Sequence, residues 1–343
     1  MTRPALTLPL AVTMGDPAGI GGDILLTAYA KHRDSLPPFF AIDDPGRLGA
    51  LALALKLDCS IQTISSADEV AAHFGTALPV LPVDPPLAHP ATLGTPDPAN
   101  AAAVIGAIDT AVRLVQSGDA AGLVTNPIHK ASLQDSGFAH PGHTEYLGTL
   151  AGPGVQPVMM LASHVIRHGL RVVPVTIHLS HGAAARALTT DAIVRHGEII
   201  AAALQQDFGI GAPRLAVAAQ NPHAGEDGKF GSEEEDIIAP AVAALRIKGI
   251  NATGPLPADT LFHTDARAAH DAVLCMYHDQ ALIPLKTLDF YGGVNVTLGL
   301  PFVRTSPDHG TAFSIAGTGN ARCDSFIAAV KMAAAIAETR AGA

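Results

Sequence analysis

The sequence predicts an α/β protein: a mostly parallel sheet with helices packed on both faces. Three observations carry this. Short apolar runs alternate with longer helix-like segments along the 343 residues. Several of the longer segments are rich in alanine, the strongest helix former. Gly, Pro and Asn punctuate the joins, where the chain must turn.

In chain order, LPLAVTM reads as a first buried strand and GGDILLTAYAKH as the helix that follows it. The apolar start leads into MGDPAG, without the small-residue cleavage site of a signal peptide. PFFAID is a second strand, the alanine-rich segment from Asn100 to Ser117 a helix, and AGLVTNP a strand. The intervening VLPVDPPLAHPATLGTPDPAN is too dense in proline for regular structure and reads as a surface connection. RVVPVTIH is a strand that leads into one long helix, HGAAARALTTDAIVRHGEIIAAALQQDF. RLAVAAQNP, AVLCMYHD and GVNVTLGLP are further strands, SEEEDIIAPAVAALRIKG is a helix, and a last helix runs from Cys323 to about Arg340. No fixed-period repeat is apparent.

Composition narrows the function. A net charge of −10 with no Lys/Arg cluster, no Trp and few aromatics disfavours a nucleic-acid surface. No stretch of membrane-spanning length runs without charged, Pro, Gly or polar breaks. Cys59, Cys275 and Cys323 form no C-x-x-C pair, so neither a disulfide framework nor a cysteine zinc site is suggested, and the cytoplasm is the expected address. A small molecule is the expected partner.

Three of the sixteen histidines, His178, His223 and His278, follow strand-like runs directly. Parallel strands release their loops on one edge of a sheet, so these imidazoles could converge on a metal ion that keeps open positions. Singly, each is more often an ordinary capping or hydrogen-bonding histidine; the three together favour the metal. Lys286, Asn295 and Arg304 offer an ammonium, an amide and a guanidinium fork in apolar surroundings, a cradle suited to a phosphate. PGHTEYL adds His143 and Thr144. MGDPAGIGG looks like a phosphate loop opening a helix, yet it matches neither G-x-G-x-x-G nor G-x-x-x-x-G-K-[ST]. DHGTAFSIAGTGNA could wrap a nucleotide through backbone N–H groups.

Taken together, MGDPAGIG, TNPIHK, PGHTEYL, NPHAGEDGKFGSEE, MYHDQALIPLK, GVNVTLGLPFVRTSPDHGTAF and IAGTGNA, in this order over nearly the whole chain, resemble the 4-hydroxythreonine-4-phosphate dehydrogenases, the PdxA family of vitamin B6 biosynthesis. The resemblance implies the two-domain fold of the isocitrate and isopropylmalate dehydrogenases, with mostly parallel sheets, a cleft between domains and NAD or NADP held without a Rossmann fingerprint. The domains would comprise residues 1–135 with 305–343, and residues 136–304, the second carrying metal ligands and dimer contacts. Matched by motif, the metal-binding histidines fall on His178, His223 and His278, with zinc, magnesium or cobalt as the divalent ion. Substrate-binding roles fall on His143, Thr144, Lys286, Asn295 and Arg304, and site-supporting roles on Asp259 and Asp279. DHGTAFSIAGTGNA is similar to the stretch that holds the adenosine part of NAD in the wider superfamily, which assigns cofactor contacts to His309, Gly310, Thr311, Ala316, Gly317, Gly319 and Asn320. The family implies a homodimer whose sites draw ligands from both subunits. Its reaction is oxidation of a phosphorylated hydroxy-amino acid, 4-phosphooxy-L-threonine, followed by decarboxylation to 3-amino-2-oxopropyl phosphate. One motif departs: GIGGD stands where the family has GIGP[ED]. Paralogues oxidising 4-phospho-D-threonate or 4-phospho-D-erythronate would share these residues, and a metal-dependent hydrolase is the more distant alternative.

Overall fold

The computed structural model describes residues 8–140, 142–163 and 166–342, so Pro141 of PGHTEYL lies outside the described residues. The chain divides into two compact units, Met1–Pro157 with Leu300–Gly342, and Val158–Gly299.

The first unit comprises β1 (Leu10–Thr13), α1 (Gly21–His32), β2 (Phe39–Asp43), α2 (Pro45–Ala54), β3 (Ile61–Thr63), α3 (Val70–His73), β4 (Leu78–Pro82), α4 (Ala101–Ser117), β5 (Gly122–Thr125), α5 (Lys130–Asp135) and α6 (His143–Ala151). After the second unit it resumes with β12 (Arg304–Pro307) and α12 (Asp324–Ala341). Its strands run in the order β3-β4-β2-β1-β5-β12, all paired in parallel. β1 and β2 are buried at every position, as expected where helices cover both faces of a parallel sheet. α4 buries Val104, Ala107, Ile108 and Ala111, residues at spacings of three and four that share one face. With its preceding turn it spans Pro98–Ser117, long and apolar enough by composition alone to cross a membrane, but this face packs on β1, β2 and β5. Gly118, left-handed at φ 82°, ends it.

The second unit comprises β6 (Val158–Ser163), β7 (Leu170–Thr176), α7 (His181–Ala187), α8 (Thr190–Gln206), β8 (Arg214–Ala218), α9 (Ala239–Ile247), β9 (Asn251–Leu256), α10 (Thr264–Ala269), β10 (Ala272–Tyr277), α11 (His278–Leu288) and β11 (Val294–Leu298). The strand order is β11-β6-β7-β10-β8-β9. β7, β10, β8 and β9 pair in parallel, whereas β6 is antiparallel to both β7 and β11. Val172, Val273, Cys275, Ala281 and Leu285 form part of a core between these strands and α11.

The expected α/β class and mostly parallel sheets are thus observed, with three differences of detail. The long helix expected after β7 is two helices. Leu188 turns extended (φ −69°, ψ 130°) and is buried, and Thr189 then caps a new helix by accepting the Ala192 N–H at 3.2 Å. The sequence boundaries of 135/136 and 304/305 give way to 157/158 and 299/300. α6 stays with the first unit because the Tyr146 hydroxyl donates to Asp109 of α4 and Gln116 donates to the Leu150 carbonyl at 3.2 Å. The proline-dense connection is largely irregular, but it is pinned. Asn100 bonds both backbone groups of His89 (3.0 and 3.1 Å), and the Gly94 N–H donates to the Ala18 carbonyl at 2.8 Å.

Candidate functional site

β7, β10 and β8 are neighbours and parallel, so the segments after them leave from one edge of the second unit's sheet. His178 lies two residues past β7, His278 opens α11 directly after β10, and His223 lies in the Pro222–Gly225 turn after β8. Two polar links tie these strand ends together. Thr176 donates to the Met276 carbonyl at 2.8 Å, and Gln280 bridges the Met276 N–H and the Ala219 carbonyl at 2.7 Å each. His178 and His223 are both left-handed, at φ 55° and 54°. That conformation is uncommon outside glycine and costs about 1–3 kcal/mol, so the surrounding structure imposes it.

The rings of His178 and His278 stand with centroids 6.0 Å apart and planes tilted by 42°. A metal ion bonded to an imidazole nitrogen stands about 3 Å from the ring centre, so the separation is short enough for one ion to reach both rings. Asp279 accepts from His278 Nδ1 at 2.7 Å, which leaves Nε2 as the nitrogen available to a metal. The hydrogen bond with His278 holds the Asp279 carboxyl below the usual range. Thr176, His178, His181, Tyr277, His278 and Asp279 line a hollow of about 150 Å³. His181, missed in the sequence, brings Nε2 to 3.9 Å from Asp279.

His223 is not drawn into this group. Its ring lies 6.1 Å from Phe230, and among the described residues no three His, Cys, Asp or Glu side chains are grouped to hold a metal within one chain. Its loop is nevertheless firmly built. The nearly buried Glu234 accepts the Gln220 and Asn221 N–H groups at 2.8 Å each, and Asn221 Nδ2 donates to it at 3.0 Å. Asp259 is exposed in the Ala258–Thr260 turn, which contacts the His223 turn.

The predicted anion-binding residues occupy both units. In the first, Arg304 on β12 is 3% exposed and donates through Nε (3.2 Å) and Nη2 (2.7 Å) to the Thr125 hydroxyl of β5. Burial lowers its pKa to about 10, so it stays charged at neutral pH. His143 opens α6 with Nε2 sealed from solvent and without a partner. Burial, then the charges of Arg304 and Lys130, hold its pKa well below the ordinary histidine value, so the ring is neutral. Lys130 of TNPIHK, exposed at the start of α5, is a further cation near His143 that the sequence reading does not single out. Its signal was a lone cation just past a buried strand. Thr144 is half-buried beside His143. In the second unit, Lys286 lies on α11, a helix where strand-like surroundings were expected, with Nζ 5.4 Å from the Phe290 ring centre. Asn295 on β11 has a sealed Oδ1 without a partner. Such orphaned buried atoms cost about 1–3 kcal/mol each and call for an explanation, of which a ligand is one.

The seven residues expected to contact the cofactor, His309, Gly310, Thr311, Ala316, Gly317, Gly319 and Asn320, share the connection between β12 and α12. It lies against the start of α1. The Ile20 N–H donates to the Thr311 carbonyl at 3.0 Å, and the Gly317 N–H to buried Asp23 at 2.8 Å. Gly317 (φ 71°) and Gly319 (φ 78°) are left-handed, which glycine tolerates. Gly22 of GIGGD occupies a tight spot: a Cβ there would stand 2.7 Å from Leu51 Cδ2.

Comparison with known proteins places these features in a family. The family described as "Pyridoxal phosphate biosynthetic protein PdxA" matches residues 37–333. A 4-hydroxythreonine-4-phosphate dehydrogenase from Caulobacter vibrioides is 53% identical over 337 residues, covering 97% of this chain and 98% of the relative. One from Xanthobacter autotrophicus is 49% identical, covering 99% and 96%. The crystal structure of 4-hydroxythreonine-4-phosphate dehydrogenase from Klebsiella pneumoniae superposes with a TM-score of 0.86 at 36% identity, covering 97% of this chain and 99% of that one. The chain belongs to the PdxA family of pyridoxal phosphate biosynthetic proteins.

Proposed function

We propose that the protein is an oxidoreductase that oxidises the secondary alcohol of 4-phosphooxy-L-threonine with NAD or NADP. The β-keto acid so formed loses CO₂ to leave 3-amino-2-oxopropyl phosphate, in the biosynthesis of pyridoxal 5′-phosphate. It works as a cytoplasmic homodimer with shared sites, on a small phosphorylated substrate and without nucleic acid or membrane. Family membership supports the reaction class. The observation that carries it to particular residues is the His178–His278 pair, 6.0 Å apart, with Asp279 setting the tautomer of His278.

In this assignment His178 and His278, joined by His223 across the dimer, would hold a divalent cation, zinc, magnesium or cobalt, which would supply Lewis acidity at the substrate hydroxyl. Residues His309, Gly310, Thr311, Ala316, Gly317, Gly319 and Asn320 hold the nicotinamide dinucleotide, the hydride acceptor. Lys286, Asn295 and Arg304 bind the phosphate, which orients the carbon that loses hydride. Arg304 suits this because burial and Thr125 keep its fork in place. His143 and Thr144 bind the polar end of the substrate, the neutral ring of His143 exchanging hydrogen bonds through Nε2. Asp279 orients His278, and Asp259 supports the His223 turn.

The test is absorbance of reduced nicotinamide when purified protein, a divalent metal and NAD or NADP are mixed with 4-phosphooxy-L-threonine. The expected result is turnover with a kcat/KM above those for 4-phospho-D-threonate and 4-phospho-D-erythronate. No reduction with any metal or dinucleotide defeats the assignment, and preference for either phospho-sugar acid moves it to a paralogous dehydrogenase.

A further inference from the structure

In the second unit, α11 ends at Leu288 and β11 begins at Val294, and Asp289 is the first residue of the turn between them. Its half-buried carboxylate is held from two sides. The Ser163 hydroxyl, at the end of β6, donates to Oδ2 at 2.5 Å, and the Gly292 N–H donates to Oδ1 at 2.8 Å. The Asp289 N–H in turn donates to the Leu285 carbonyl at 2.8 Å, which joins the end of the helix to the same junction. Position 292 has no room for a side chain, since a Cβ there would stand 2.5 Å from Asp289 Oδ2. Ser163 is buried, so its hydrogen bond to a charged acceptor is shielded from water and belongs to the stronger kind.

This junction lies between two of the residues assigned to the phosphate. Lys286 precedes Asp289 on the last turn of α11, and Asn295 follows it on β11, where it pairs with Leu161 of β6 close to Ser163. Asp289 therefore ties the helix that bears the ammonium to the strand pair that bears the amide. It also fixes the start of the turn. The exposed Phe290 ring meets Tyr291 edge-on at 5.2 Å and stands 5.4 Å from Lys286 Nζ, within cation–π range. A lysine head on a flexible stem loses conformational freedom when it grips an anion, so a turn that limits where the head can go lowers the cost of binding.

We propose that Asp289 is a positioning residue for phosphate recognition: locked by Ser163 and Gly292, it sets Lys286 and Asn295 at their spacing and holds Phe290 beside the ammonium. The inference rests on the reading of Lys286 and Asn295 as phosphate-binding residues and adds what keeps them in register. Calorimetric titration with inorganic phosphate tests it without turnover. Asp289→Ala should weaken phosphate binding about tenfold, and Ser163→Ala, which removes one of the two links, about threefold. Asp289→Asn keeps both links, because its amide oxygen accepts the Gly292 N–H and its NH₂ donates to the Ser163 hydroxyl, and should stay within about twofold of wild type. In turnover, KM for the phosphorylated substrate should rise in the alanine variants while KM for the dinucleotide holds. Loss of the carboxylate alone would favour an anion, so phosphate affinity unchanged or tightened in Asp289→Ala, or lowered equally in Asp289→Asn, overturns the inference. If Asp289→Ala does not fold, unchanged affinity in Ser163→Ala overturns it instead. Where Lys286→Ala still loses phosphate in those cases, the phosphate assignment stands alone; where wild type binds no phosphate, or Lys286→Ala binds it equally, both fall.

Discussion

The link between Arg304 and Thr125 can be tested by removing one hydroxyl. Thr125 is fully buried on β5, and its Oγ1 accepts two hydrogen bonds from a guanidinium that is itself 3% exposed. Thr125→Val keeps the shape and deletes the acceptor. Hydrogen bonds to charged groups contribute about 1.5–3 kcal/mol net, and a buried donor left without its partner adds its desolvation, so the expected loss is about 2–3 kcal/mol. Thr125→Ser keeps the acceptor and loses only a buried methyl, worth about 1 kcal/mol. The gap between the variants, about 1–2 kcal/mol, isolates the hydroxyl. Urea denaturation of all three proteins gives the stabilities, and KM for the phosphorylated substrate should rise in the valine variant only. A valine variant as stable as the serine variant, with unchanged KM, would show that Thr125 does not hold Arg304 in place.

Three further outcomes follow from the same geometry. His143 has a depressed folded-state pKa, so below about pH 6.5 the unfolded chain binds a proton that the folded chain refuses, and stability should fall on acidification by up to about 1.4 kcal/mol per pH unit. Denaturation midpoints at pH 5 and 7 should show a smaller difference in His143→Gln than in wild type. Asp279→Asn should weaken zinc or cobalt binding by about ten- to a hundredfold, read by direct metal titration, because His278 loses the group that fixes its tautomer. Glu234→Ala strips two backbone N–H groups of their acceptor and should cost about 2–4 kcal/mol in chemical denaturation, whereas a surface carboxylate would cost almost nothing.

Much of the fold was legible because its signals are local. Buried parallel strands such as LAVT and FFAID are continuous apolar runs, and α4 repeats its apolar positions at helical spacing. The misses also have physical causes. VMMLAS, the antiparallel β6, went unassigned because a short apolar run carries no period that separates strand from helix. The break at Leu188 is masked by the alanine-rich run around it, although Thr189, which caps the second helix, is a residue type that starts helices. The apolar neighbours of Lys286 do not by themselves distinguish the helix α11 from a strand.

The sequence by itself determined the α/β class, the family, and the residue types at three strand ends, since periodicity and motif are properties of neighbours along the chain. Only the tertiary structure decided which of those groups meet. It sets His178 opposite His278 and leaves His223 beside Phe230; it seals Arg304 against a hydroxyl 179 positions away; and it makes His143 neutral. Burial, left-handed backbone and ionisation state arise from atoms that packing brings close and that sequence separation keeps far apart.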